Sequence, residues 1–80
     1  MREDMVNAAQ LRAARVWLSM SQEQVASEAK LTRQTIVRLE QDTSLAQART
    51  LRDVRAVFEN MGIVFLFADG KGVGLRKRDV

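Results

Sequence analysis

The chain has no cysteine, no histidine and no proline, and each absence closes off a class of chemistry or structure. Without cysteine there is no disulfide framework and no thiol nucleophile, and without histidine as well the usual zinc sites lose their ligands. The missing imidazole also removes the commonest general base, and no phosphate-cradling loop or nucleophile–base pair stands in for it. The expectation is a protein that is not an enzyme and uses no cofactor or metal. No proline-rich linker, repeat or low-complexity tract divides the 80 residues, so a single domain over 1–80 is expected. No apolar run approaches the ~20 residues that span a bilayer, and Met1-Arg2-Glu3-Asp4 opens no signal peptide. A cytoplasmic protein with no membrane partner is expected.

Aromatic residues are scarce at 5%, so Ala, Val and Leu must carry the core of a chain that is 46% hydrophobic and 29% charged. That balance is globular rather than disordered. A domain this small buries only roughly 60–65% of its unfolded surface, and oligomerisation is a common remedy. The net charge of +3 and pI near 10.2 are compatible with a polyanionic partner and equally with a soluble protein holding a modest Arg excess.

Glycine is absent until Gly62 and then recurs at Gly70, Gly72 and Gly74, which predicts helices first and strands afterwards. Leu11, Ala14 and Leu18 recur at helical spacing over about 7–18, with Gln10 and Arg12 expected on the opposite side. Ser21 and Gln24 have the spacing of a capping box for a second helix to about Lys30, burying Val25, Ala26 and Ala29. Thr32 caps a third helix to about Glu40, with Ile36 and Leu39 inward. Thr50 and Asp53 predict the start of a fourth, with Leu51, Val54, Phe58 and Met61 inward and Gly62 at its C-terminus. Trp17 is expected to pack against this fourth helix or the segment after it. The run Ile63-Val64-Phe65-Leu66-Phe67, the turn at Asp69-Gly70 and Val73–Arg76 predict a β-hairpin. The fold class is mainly α: a compact bundle of about four helices over 7–61, then a hairpin over 63–76.

The informative segment is Gln22 to Glu40, two short helices separated by a tight turn at Lys30-Leu31. Ala26 supplies the small residue that a close crossing needs, which is the geometry of a helix-turn-helix. Arg33, Gln34, Val37, Arg38 and Gln41 share the side opposite Ile36 and Leu39, and no acid interrupts them. Arg pairs with guanine O6 and N7, Gln with adenine N6 and N7, and Val can rest on a thymine methyl. Taken alone, Arg and Gln also decorate ordinary surface helices.

The segment resembles the Cro/repressor-type (XRE) helix-turn-helix family, whose lambda-repressor-like fold has a Gln opening the second helix, an Ala four residues on, and a Ser/Thr-initiated recognition helix ending in Leu-Glu. Gln22, Ala26, Thr32 and Leu39-Glu40 match. The resemblance covers Leu11 to Met61 and implies that Gln22 and Thr32 hold phosphates, that Arg33, Gln34, Val37 and Arg38 meet bases, and that Thr43 and Ser44 touch backbone. It also implies a structural Arg15–Glu40 salt bridge. Two departures stand out: Lys30 replaces the Gly usual in the turn and is expected at positive φ, and the loop after Glu40 lacks the family's Gly and Pro.

Ile63, Val64, Phe65, Leu66 and Phe67 are apolar at every position, so both strand faces want cover. They are the expected dimer interface, the alternative being a hairpin folded flat on its own bundle. Arg76-Lys77-Arg78 is either a phosphate-attracting tail or a solubilising terminus. The function implied is a sequence-specific regulator of transcription, a repressor or autoregulator binding double-stranded DNA at an inverted repeat as a homodimer. The alternative is the antitoxin of a toxin–antitoxin pair, with a toxin as protein partner.

Overall fold

Local signals place most of the elements in the computed structural model, which describes residues 4–79. Asn7 caps α1 (Ala8–Trp17) and Ser21 caps α2 (Gln22–Ala29), each through a full capping box with the Gln three residues on, Gln10 and Gln24. Thr32 caps α3 (Arg33–Gln41) by accepting from the Thr35 amide. Lys30 ends α2 at φ 58° and ψ 43°, the left-handed region its turn position demands, at a cost of roughly 1 kcal/mol for a residue with a Cβ.

The fourth helix, α4 (Ala48–Asn60), starts earlier than the Thr50 box predicts, with Gln47 at its N-cap and no side-chain cap bond. The chain bends sooner than expected: the Ser44 amide bonds Asp42 and the Ala46 amide bonds the Thr43 carbonyl. Ala46 thereby reaches the core, and the helix winds directly from there. Leu51, Val54 and Phe58 face inward as expected. Val57 joins them, while Met61, at the C-cap, is only half-buried. Gly62 follows at φ 94°, where a side chain would be strained.

After it, β1 (Ile63–Ala68) and β2 (Lys71–Lys77) form an antiparallel hairpin. Asp69 and Gly70 turn it with φ of 53° and 77°, the pair of positive values that a two-residue hairpin loop requires. The register runs Phe65↔Leu75 and Leu66↔Gly74, then Phe67↔Gly72, leaving Val73 as an extra residue in a bulge. One hairpin face packs on the bundle. Ile63 and Phe65 are buried, and Phe67 and Leu75 pack against the same core. Phe65 meets Phe58 edge-on at 6.3 Å between ring centres, and the Arg55 guanidinium lies 5.1 Å from the Phe67 ring centre.

One expectation for α1 is corrected. Gln10, placed on the solvent side by periodicity, is buried at 3% exposure. Its amide donates to the Leu66 and Gly74 carbonyls, both at 2.9 Å, where the bulge interrupts the ladder. Its carbonyl accepts from the Asn7 amide, so a polar group is buried with its hydrogen bonds made. Trp17, expected to pack against α4 or the hairpin, does lie beside β2 but stays 46% exposed. Leu11, Ala14 and Leu18 already fill the inward side of α1, and the indole is left at its edge.

Candidate nucleic-acid interface

Helix α3 is held by its buried side and by one ion pair. Ile36 and Leu39 sit in the core beside Val25 and Ala26 of α2. Ala26 is 3% exposed, and its small side chain lets the helices cross closely; its carbonyl also accepts the Leu31 amide in the turn. Opposite, Arg33, Gln34, Arg38 and Gln41 are exposed, with Val37 half-buried among them.

Charge on this helix is sorted by side. Glu40, its one acid, is turned inward, where Arg15 of α1 grips it through Nε at 2.6 Å and Nη2 at 3.0 Å. The side chains are 19% and 7% exposed for Arg15 and Glu40. The hydrogen bond to Glu40 raises the Arg15 pKa above its ordinary value, outweighing burial. Arg15 also donates to the Met20 carbonyl, and Gln22 Nε2 lies 3.3 Å from Glu40. A carboxylate held this way is kept off the outward face, which presents guanidinium, amide and methyl groups only.

The other residues of interest surround that face. Gln22 stands half-buried at the start of α2, its amide shared with Glu40. Thr32 is exposed at the start of α3, with its hydroxyl bonded to Thr35. Beyond α3, Thr43 is half-buried and Ser44 exposed. The Ser44 amide donates to Asp42 Oδ1 at 2.8 Å, and the Ser44 side chain also engages that carboxylate. These contacts hold the Asp42 carboxyl below its usual pKa.

Sequence reasoning missed two residues here. Arg12 donates to the Glu40 carbonyl at 2.7 Å, tying the end of α3 to α1. Leu45 is 95% exposed on the loop after α3, lining a groove with Arg38 and Thr35. Arg12 precedes Arg15 by three residues and shares its side of the helix, a spacing that could have signalled it. Nothing in the local sequence marks Leu45.

The helix pair, its turn and its neighbours coincide with a known family: a helix-turn-helix profile matches residues 11–59. The chain belongs to the XRE-type helix-turn-helix family. It is a DNA-binding regulator of the XRE type, built as four helices with an appended hairpin. The match ends before β1, so the hairpin lies outside the matched region. A comparison with curated protein sequences gave no match. Among the described residues, no cluster of acidic or other ligating side chains could hold a metal, and no helix is long and apolar enough to cross a membrane.

Proposed function

We propose that this XRE-type protein is a sequence-specific repressor or autoregulator that lays α3 in the major groove of an inverted repeat and binds it as a homodimer. The observation carrying the reading is the sorted charge of α3: Arg33, Gln34, Val37 and Arg38 outward, Glu40 locked inward on Arg15. A face meeting the duplex must avoid carboxylates near phosphates, and Arg and Gln match the guanine and adenine edges. Gln22 and Thr32 at the starts of α2 and α3, with Thr43 and Ser44 after α3, frame that face and are assigned to the phosphate backbone. A protein holding the operator by such contacts blocks whatever else must occupy it, which favours repression.

Selection of bound duplexes from a random pool tests this, followed by titration of variants. Arg33→Ala should cost about 1–3 kcal/mol on the selected site and relax one base position. Gln22→Ala should weaken binding to all sequences alike. Selection that returns no preferred sequence, or an Arg33→Ala protein that binds like the wild type, overturns the assignment.

The strand Ile63–Phe67 was expected to supply the dimer contact. With Ile63 and Phe65 inside their own bundle, Val64, Leu66 and part of Phe67 are what β1 can offer a second copy.

A further inference from the structure

Besides Leu66 on β1 and Leu45 after α3, large apolar side chains are left in solvent on α1 and β2. Trp17 is 46% exposed and Val73 64%, and both flank the line where α1 runs beside β2. Between α1 and β2 lies a groove of about 440 Å³, lined by Ala9, Ala13 and Trp17 on one side and Gly72, Val73 and Leu75 on the other. No charged residue lines it, in a chain that carries +3 overall. We propose that this groove is where a second copy of the chain docks, the α1–β2 surfaces of the two copies meeting across a twofold axis. The proposal deepens the homodimer reading above by naming its surface.

Three observations select a second copy. The first is charge. A polyanion gains nothing on an uncharged surface, whereas two chains of like charge approach at least cost through a face without cations. The second is shape. A twofold contact uses one patch twice, so the patch must contain both projections and hollows. Here Val73, pushed out by the bulge, and Trp17 project, while Ala9, Ala13, Gly72 and Gly74 leave shallow ground between them. The third is location. No residue of α2, α3 or the loop after α3 lines the groove, so a copy seated there leaves the base-reading face uncovered.

The groove is also rigid before any partner arrives. Asn7 donates to the Gly72 carbonyl at 3.0 Å, and Gln10 donates to Gly74. A Cβ at Gly72 would run into the Gln10 and Asn7 side chains, so only glycine lets β2 lie this close to α1. A preformed surface loses less entropy on association.

Sedimentation equilibrium of the intact chain, with Ala13→Glu and Val73→Glu, provides the test. Both positions are exposed, so the charges need not disturb the fold, and circular dichroism checks that they do not. Trp17 is the only tryptophan, so its emission reports the groove directly. The wild type should dimerise with a blue shift of that emission as concentration rises. Each variant should weaken dimerisation by about tenfold or more, since a carboxylate forced into an apolar contact is costly. A dimer indifferent to both variants but dissociated by Leu66→Glu overturns the groove and leaves the homodimer standing on β1. A wild type that stays monomeric, alone and on its selected duplex, overturns both.

Discussion

At the scale of single residues, the Arg15–Glu40 pair connects stability to function most directly. A carboxylate with a 7% exposed side chain is tolerable because a guanidinium meets it through two bonds. Arg15→Ala would strand that charge and should cost about 3 kcal/mol, near the low end for a buried pair because Arg15 keeps some solvent. Replacing both residues with methionine should recover most of the loss, since the desolvation of two charges disappears with them. Chemical denaturation of the single and double variants measures both. A single variant as stable as the wild type would show the pair to be ordinary surface charge. Lys30 is the opposite case, a residue held at positive φ whose side chain makes no hydrogen bond or ion pair among the described residues, and its strain is tolerated rather than used.

At the scale of elements, the segment joining α3 to α4 is organised by Asp42. Its carboxylate accepts the Ser44 amide, and that bond is the main cause of its lowered pKa. A depressed folded pKa means that the contribution to stability is complete above the unfolded value. It is lost as pH falls through the folded one. The carboxyl should therefore titrate below the usual Asp range in a carbon-detected NMR series, with the Ser44 amide shift moving in step. A Ser44 amide that ignores this titration would remove the turn. Above that range the loop stays set, with Ser44 held against Asp42 beside the end of α3.

At the scale of the whole molecule, the proposed homodimer requires two copies of α3 to reach successive major grooves, roughly 34 Å apart on one side of the duplex. Insertion of about five base pairs between the half-sites turns one of them to the far side, since a helical turn takes about 10.5. Affinity should then fall to that of a single half-site in a mobility-shift titration. Unchanged affinity would mean that each copy binds alone.

How much of this was legible beforehand follows from how far apart the deciding residues lie. The boxes at Ser21 and Gln24, the cap at Thr32, the turn at Asp69-Gly70 and the helix-ending Gly62 each act within a few positions, so sequence spacing states them. The outward face of α3 was equally plain, because one helical period separates it from Ile36 and Leu39. Asn7 and Gln10 carry the same box spacing as Ser21 and Gln24, yet the start of α1 was not read from it. Gln10 then does more than cap, because its partners Leu66 and Gly74 lie 56 and 64 residues away.

The sequence by itself therefore determined the helices, the hairpin and the charge pattern of α3, all set by short-range periodicity and backbone preference. Tertiary structure alone decided which polar side chain could be buried, which glycine had to be one, and where the tryptophan was left. Those outcomes depend on which surfaces meet when β2 closes over α1, and distant backbone carbonyls leave no trace in the residues they will bind.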